Sequence, residues 1–205
     1  MIESQRVVRS TDREAWLAAR RDGVTATQVA RAAVPSLFPE VYESRRDPQP
    51  VEVNDLMRFG TEQEPFIAEW VHRKFGIEHN DWLYCHHAYG EFLATPDGLG
   101  EFDGELVVAE IKTTGKDYDG EHIPIAHRRQ MQWQMFVTGA VRCLYVWQLR
   151  VPDDRGWFFP GWLEPRTVWV ERDEKMISDL VQVANALLLD EDFGADPINE
   201  GGKHG

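Results

Sequence analysis

Apolar residues recur with the helical period in several long segments of this chain. The pattern predicts amphipathic helices over residues 62–75, 125–138 and 173–189. Two capping-box sequences, Thr11–Glu14 and Thr25–Gln28, predict the starts of two further helices near the N-terminus. Residues 35–53 are rich in proline and have no clear period, so we expect a loop there.

Short runs of β-branched and aromatic residues, bounded by turn sequences, predict the strands. The runs cover Trp82–His86, Glu91–Thr95, Glu105–Thr113, Val141–Val151 and Arg166–Glu171. Strands that alternate with helices are typical of an α/β domain, here a central mixed β-sheet flanked by helices. The first part of Glu105–Thr113 is apolar on both faces, which indicates a central strand.

The composition suits one compact domain. The chain has 205 residues, of which 42% are hydrophobic, and this is enough for a sizeable core. No segment is long and apolar enough to span a membrane, and the first residues lack the pattern of a signal peptide. Cys85 and Cys143 alone make neither a disulfide framework nor a zinc site, which favours a reducing cytoplasm. We expect a single domain over 1–205, with an acidic, frayed tail from about 190.

Charge is distributed unevenly along the chain. A net charge of -13 argues against a general binder of polyanions. Residues 1–31 nevertheless contain a group of arginines: Arg6, Arg9, Arg13, Arg20, Arg21 and Arg31. These arginines could line a channel that holds a phosphate chain, or they could be solvated side chains of a helix. The charge pattern by itself favours the second interpretation.

The segments that suggest chemistry are Thr95–Gly98 and Glu110–Lys112. Because side chains alternate along a strand, Glu110 and Lys112 project side by side at the end of the predicted central strand. Asp97 follows a neighbouring predicted strand, at a glycine-rich turn. Strand pairing can therefore bring Asp97 and Glu110 within reach of one cation.

These residue types suit the hydrolysis of a phosphodiester. The carboxylates of Asp97 and Glu110 can hold Mg²⁺, and the carbonyl of Ile111 can supply a further oxygen. The metal would polarise the phosphoryl group and lower the pKa of a bound water. Lys112 can orient that water and offset charge in the transition state. Glu64 would supply a third acid, because helical spacing places it on the apolar face of 62–75. The residues predicted to form that face are Phe66, Ile67, Trp70, Val71 and Phe75.

Each of these short sequences also has a structural interpretation. Pro-Asp-Gly is an ordinary turn and Glu-x-Lys is commonly a solvated strand edge, so neither is specific alone. Cys85–His87 could suggest a transition-metal site, but it lacks partners at ligand spacing and we interpret it as structural. Aromatic side chains that could stack on bases, but that strand patterning favours as core residues, are Trp133, Trp147, Trp157, Trp162 and Trp169.

Four separated blocks of sequence occur in one order along the chain. They are Trp16–Arg20 with Gly23–Thr27, Phe59–Glu64, Thr95–Gly98 with Glu110–Lys112, and Gln130–Thr138. Together they resemble phage lambda exonuclease and the YqaJ-like viral recombinases, within the PD-(D/E)XK nucleases. A weaker fifth match is Val170–Lys175, and the resemblance extends from about Trp16 to Leu188. Ordered blocks are much more specific than any single motif.

The resemblance assigns the catalytic centre to a defined set of residues: Asp97, Glu110, Lys112, Glu64 and Gln132. It implies that Asp97 and Glu110 bind Mg²⁺, for which Mn²⁺ can substitute, and that Lys112 is the catalytic lysine. Glu64 matches an acid that supports metal or water in the site. Gln132 matches a helix glutamine near the nucleophile, and Gln130 is the alternative.

The resemblance also implies a binding pocket for the end of the DNA. Arg20 and Thr27 match positions that line a pocket for the terminal 5′-phosphate, and a guanidinium with a hydroxyl at a helix start suits a dianion. The family often has Ser where Thr27 stands. Residues 35–53 match poorly, so Arg45 and Arg46 are only candidate DNA contacts. The segment between Lys112 and Gln130 is shorter than in the lambda enzyme.

The activity that the resemblance implies is a processive 5′→3′ exonuclease. It would act on double-stranded DNA ends in the cytoplasm, without membrane association, and leave 3′ single strands for recombination. The resemblance further implies a ring-shaped homotrimer and a single-strand annealing protein as partner. An endonuclease of the same fold, and a non-catalytic DNA-binding or assembly protein that retains the fold, are the alternatives.

Overall fold

A computed structural model describes residues 4–48, 52–117 and 122–189 and contains two β-sheets with helices packed against them. The strands are β1 (Gln5–Arg9), β2 (Val24–Thr25), β3 (Glu78–His79), β4 (Trp82–His86), β5 (Tyr89–Ala94), β6 (Gly98–Phe102), β7 (Glu105–Thr114), β8 (Arg142–Pro152), β9 (Phe158–Pro160) and β10 (Arg166–Glu171). The helices are α1 (Arg13–Arg21), α2 (Ala26–Ala32), α3 (Phe38–Arg46), α4 (Asp55–Phe75), α5 (Ile125–Thr138) and α6 (Glu174–Leu188), and a 3₁₀ turn covers Pro35–Leu37.

The larger sheet is mixed, as predicted, and has the strand order β10-β8-β7-β6-β3, with β9 also paired to β8. Its central strand β7 runs parallel to β8 and antiparallel to β6. Alternate residues of β7 pack on opposite faces, because Ile111 lies in one cluster with Ile67 of α4 and Val108 lies in another with Met131 of α5. The strand is therefore sandwiched between α4 and α5, and Glu110 and Lys112 share the α5 face with Val108.

The smaller sheet has the order β1-β4-β5-β2, and it borders the larger one at the end of β5. The short strand β2 runs parallel to β5, with Thr25 in register with Leu93. The indole Nε1 of Trp133 donates to the carbonyl of Leu93 at 3.0 Å. This buried bond fixes α5 against the smaller sheet, so that one helix contacts both sheets.

Several predicted elements are confirmed, including α5, β4 and β10 at their predicted bounds. The predicted capping sequence at Thr25 is also present, since Gln28 Oε1 accepts from the backbone N–H of Thr25 at 2.9 Å. The prediction that Thr11 caps the next helix is wrong by one residue. Asp12 caps α1 instead, by accepting from the backbone N–H of Ala15 at 3.2 Å.

The loop predicted for residues 35–53 is wrong for residues 35–46, and residues 49–51 lie outside the described part of the chain. The segment contains the 3₁₀ turn and α3, and both begin at or next to a proline, Pro35 and Pro39. Proline is tolerated in a first helical turn, because the N–H that it lacks has no partner there. Helix α4 likewise begins at Asp55 rather than near residue 62, capped by Asn54, whose side chain accepts from the backbone N–H of Met57 at 2.9 Å.

Strand β6 was not predicted. It begins directly after Asp97 and pairs with β7, which carries Glu110. Its glycines lower strand propensity but allow close packing. A Cβ on Gly98 would lie 3.0 Å from the Cβ of Ala109, and a Cβ on Gly100 would lie 3.0 Å from the Cα of Ile77. Small residues are therefore needed where β6 meets β7 and the segment before β3.

The acidic tail predicted from about 190 lies outside the described residues. Among the helices that the structure describes, none has the length and apolar character needed to cross a membrane.

Candidate active site

Asp97 lies where the chain crosses from the smaller sheet into β6. Its backbone N–H donates to the carbonyl of Ala109 at 3.1 Å, and its carboxylate Oδ2 accepts from the backbone N–H of Ile111 at 2.6 Å. Asn80, which sequence reasoning missed, supports the crossing. Its backbone N–H donates to the carbonyl of Asp97 at 3.0 Å, and its side-chain amide donates to the carbonyl of Pro96 at 2.9 Å. The Asp97 carboxylate is thus held against the strand that carries Glu110.

Glu110 lies on the α5 face of β7, and its side chain is 0% exposed. Its Oε2 accepts from the side-chain Nε2 of Gln134 at 2.6 Å, and its Oε1 forms an ion pair with the ammonium of Lys112. A buried carboxylate needs such partners, because removal from water without them is very costly. The predicted Glu-x-Lys pair is therefore a buried ion pair rather than a solvated strand edge.

The charges at this end of the larger sheet act strongly on one another. Burial raises the pKa of Asp97 well above its usual value, and the charge of Glu110 raises it further, while Lys112 opposes both. Burial works to lower the pKa of Lys112, but the carboxylates of Glu110 and Asp97 outweigh it and raise that pKa. Lys112 therefore stays protonated at neutral pH, between two acids that repel each other.

Glu64 lies on α4 at the exposed edge of this cluster. Its side chain is 43% exposed, and its Oε1 lies 3.9 Å from His79 Nε2. Its charge raises the pKa of both Asp97 and Lys112, so it lies within electrostatic range of the site. The apolar face predicted around it is correct for Ile67 but wrong for Phe66, which is 72% exposed.

Gln132, the glutamine predicted to complete the site, has structural partners instead. Its Nε2 donates to the carbonyl of Glu171 at 2.8 Å, and its Oε1 accepts from the backbone N–H of Asp173 at 2.8 Å. Gln132 therefore joins α5 to the segment between β10 and α6. Its Nε2 and its Oε1 each have a backbone partner on the side of α5 away from Glu110.

Gln134 is the glutamine that the structure brings to the site, and sequence reasoning did not single it out. It is completely buried, and its amide donates to Glu110. Gln130, the predicted alternative, precedes Gln134 by one helical turn and so lies on the same side of α5. The sequence contained a signal for this arrangement. Gln130 and Gln134 are four residues apart and so share one side of the helix, whereas Gln132 lies two residues from each and points to the other side.

Arg20 and Thr27 lie on consecutive helices, which are joined by residues 22–25. Arg20 is in the last turn of α1, with its guanidinium 4.0 Å from the ring centroid of Trp16. Burial lowers the pKa of Arg20, and the nearby charge of Arg13 lowers it further. Thr27 is exposed in the first turn of α2. The segment that joins the two helices contains β2. This strand pairs with β5, and Asp97 follows β5 along the chain.

Arg45 and Arg46, the candidate DNA contacts, have partners within the protein. Arg45 donates from Nη1 to the carbonyl of Leu187 at 2.5 Å and from Nη2 to the carbonyl of Gly23 at 3.2 Å, so it ties α3 to α6 and to the start of β2. The guanidinium of Arg46 lies 4.8 Å from the ring centroid of Tyr42. The structure therefore supports a packing role for Arg45.

The aromatic residues agree with the core interpretation except at one position. Trp133 and Trp147 are buried as predicted, whereas Trp157 is 68% exposed, next to Gly156 in the β8–β9 turn. His86 stacks on the ring of Phe136 at 4.4 Å between centroids, which supports the structural interpretation of Cys85–His87.

The donor set of Asp97 and Glu110 fits a hard divalent cation. Glu110 lies on β7, and Asp97 directly precedes β6, the adjoining strand. Burial and the repulsion between the two acids raise the pKa of Asp97, and a cation would relieve that repulsion. Within the described ranges, no three His, Cys, Asp or Glu side chains form a group that could hold a metal by themselves. Such a sparse set suits Mg²⁺, which usually takes one or two carboxylates and keeps several waters.

The fold and the site together define a nuclease fold of the PD-(D/E)XK type. Its mark is a mixed sheet whose central strand carries Glu110 and Lys112, with Asp97 at the start of the antiparallel neighbour. The chain belongs to the family of the YqaJ-like viral recombinase domain, whose model matches residues 15–141. The matched part runs from α1 to the end of α5 and so includes the whole acidic cluster.

Solved structures with a similar fold include exonucleases. The alkaline exonuclease LHK-Exo from Laribacter hongkongensis is 26% identical, with a TM-score of 0.64, over 86% of this chain and 91% of that one. LHK-Exo in complex with dAMP is 28% identical, with a TM-score of 0.62, over 86% and 91%. A phage-related exonuclease from Haemophilus somnus 129PT is 12% identical with a TM-score of 0.63, over 83% and 93%, and shows the fold alone. No curated protein matches the chain in sequence.

Proposed function

We propose that this protein is a Mg²⁺-dependent exonuclease that degrades linear double-stranded DNA from 5′ to 3′ and leaves 3′ single strands for recombination. The observation that carries the proposal is the cluster of Asp97, Glu110 and Lys112 at the end of β7, in a chain of the YqaJ-like family. Similarity to an alkaline exonuclease favours exonuclease over endonuclease activity. The dAMP bound by that relative belongs to the chemical class that an exonuclease releases.

Asp97, Glu110 and the carbonyl of Ile111 would hold the Mg²⁺, with Glu64 acting through water, and Mn²⁺ would substitute. Bound there, the cation supplies Lewis-acid polarisation of the phosphodiester and a lowered pKa for water. Gln134 keeps Glu110 oriented through its amide. Lys112 is protonated, so it acts by donating hydrogen bonds to the attacking water and by offsetting charge on the phosphoryl oxygens.

Arg20 and Thr27 would bind the terminal 5′-phosphate. A helix start offers free backbone N–H groups, which suit a phosphate. The guanidinium of Arg20 is steadied by Trp16, and Arg13 also lies over that ring, at 5.0 Å. These positive groups favour a dianionic terminal phosphate over an internal diester, and the preference would set the direction of digestion.

The remaining parts of the proposal concern assembly. A ring-shaped homotrimer around DNA would account for processive digestion, and closed symmetry is the usual form of homo-oligomers. A single-strand annealing protein would take up the 3′ strand in the cytoplasm. Light scattering at working concentrations tests the ring, and a monomer that still digests processively would contradict it.

The test of activity uses linear duplex labelled at the 5′ or the 3′ end, beside closed circular DNA, with Mg²⁺ or EDTA. We expect early release of label as mononucleotide from the 5′-labelled duplex alone, none in EDTA, and an intact circle. Cleavage of the circle would identify an endonuclease. An inert protein with Mg²⁺ and with Mn²⁺ would identify the non-catalytic alternative.

A further inference from the structure

Helix α5 presents a second polar contact on the side that faces the site. His127 lies two helical turns before Gln134, so the two side chains share one side of the helix. Its Nδ1 is 2.8 Å from the phenolic oxygen of Tyr145. Tyr145 on β8 is in register with Glu110 on β7 and is completely buried. In a parallel pair, residues in register point to the same face, so Tyr145 holds His127 above the face that carries Glu110.

The charges of the site reach His127. Burial lowers the pKa of His127, and the charge of Lys112 lowers it further, while Glu110 acts in the opposite sense. The imidazole is therefore neutral at neutral pH. A neutral imidazole carries one ring proton. In the tautomer whose Nδ1 accepts the hydroxyl proton of Tyr145, that ring proton lies on Nε2, and Nε2 is a hydrogen-bond donor.

The His127 ring lies on the side of the site where Lys112 is located. Gln134 lies at the level of Glu110, whereas His127 is closer to the beginning of α5 and within range of Lys112 at the end of β7. The imidazole is only half-buried. A phosphate group bound at Lys112 would therefore lie within electrostatic range of this ring, and a neutral donor can bind it without placing a second positive charge beside Lys112.

We propose that His127 is a further substrate-binding residue, whose Nε2 donates a hydrogen bond to a phosphate oxygen of the strand being cut. In this proposal Nδ1 accepts from Tyr145, which is a positioning residue that holds the ring through that contact. The proposal rests on the proposed nuclease function, and it concerns one DNA contact rather than the metal.

Conservative variants separate the two ring nitrogens. The amide nitrogen of His127→Gln can occupy the place of Nε2, whereas that of His127→Asn can occupy only the place of Nδ1. We expect His127→Asn and His127→Ala to lower the single-turnover rate on linear duplex by about tenfold, as for loss of one hydrogen bond to a charged group, and His127→Gln to restore most of it. Tyr145→Phe should give a smaller loss. His87→Ala, at an exposed position, is the matched control.

Substrates in which one phosphate near the 5′ end is replaced by methylphosphonate identify the contact. At the contacted phosphate the replacement should slow the wild-type protein but cause no additional loss in His127→Asn, while replacements elsewhere should slow both proteins equally. Urea unfolding checks that each variant folds.

Two results overturn the inference while leaving the proposed function intact. One is a wild-type rate in His127→Asn, and the other is additive losses at every methylphosphonate position. A wild-type protein that cuts no DNA with Mg²⁺ or Mn²⁺ overturns the proposed function and this inference together.

Discussion

The ion pair between Lys112 and Glu110 is the contact whose loss we expect to affect stability most. Lys112→Met keeps the length of the side chain and removes its charge. Glu110 is 0% exposed and the Lys112 side chain is 26% exposed. Water therefore has little access to the Glu110 carboxylate once the Lys112 ammonium is removed. Removing one partner of a buried pair costs about 3–5 kcal/mol, because the other charge is left uncompensated. For a protein of this size that corresponds to a fall in Tm of roughly 6–20 °C.

Urea titration and thermal melting in EDTA at neutral pH measure this loss. The control is Lys175→Met, which removes an exposed pair with Asp179 on α6 and should change little. The deficit of Lys112→Met should shrink as the pH falls, because Asp97 has a raised pKa and its protonation removes one of the charges that Lys112 offsets. Single-turnover cleavage should be lost, while calorimetry should still detect Mn²⁺ binding.

A Lys112→Met protein within about 1 kcal/mol of wild type in EDTA would refute this reasoning, because a buried, uncompensated carboxylate is more costly than that. A variant that also lost Mn²⁺ binding while keeping its single-turnover rate would contradict the role of Lys112 in the chemical step.

Four further variants test other parts of the site. Asp97→Asn should abolish cleavage and raise the free energy of unfolding of the metal-free protein at neutral pH. An acid with a raised folded-state pKa favours the fold only while protonated, so urea titrations should show that this gain vanishes below about pH 4. Gln134→Leu should slow single-turnover cleavage by roughly tenfold, whereas Gln132→Leu should lower the urea midpoint and leave the cleavage rate unchanged. Arg20→Ala should reduce the preference for 5′-phosphate over 5′-hydroxyl ends by roughly tenfold in parallel digests, and an undiminished preference would exclude it from the phosphate pocket.

Regular elements with strong local signals were predictable from sequence. Helix α5 was predicted at its observed bounds, and its end is marked by Gly139, which adopts a positive φ of 78°. Helix α3 was hidden because Pro39 looks like a helix breaker unless its place in the first turn is known. The beginning of α4 was hidden because only Phe59 is buried before residue 60, so no apolar period forms there.

The grouping of charged residues at the candidate site was predictable only in part. Alternation along β7 places Glu110 and Lys112 on one face, whatever the rest of the fold does. The route of Asp97 into the site could not be predicted, because β6 is stabilised by the close approach of Gly98 to Ala109, a tertiary contact that strand propensity does not register.

The choice among the glutamines of α5 shows the limit of sequence reasoning most clearly. Gln130, Gln132 and Gln134 alternate along one helix, so Gln132 points about 200° away from either of the others. Their residue type gives no preference, because each amide can serve a carboxylate or a backbone pair equally well. What decides is the rotation of α5, and that rotation depends on contacts far away in the sequence, such as the bond from Trp133 to Leu93. Once α5 is held there, Gln134 meets Glu110 and Gln132 meets the start of α6. The same rotation carries His127 to Tyr145, so the two unpredicted contacts on the site's side of α5 have one structural cause.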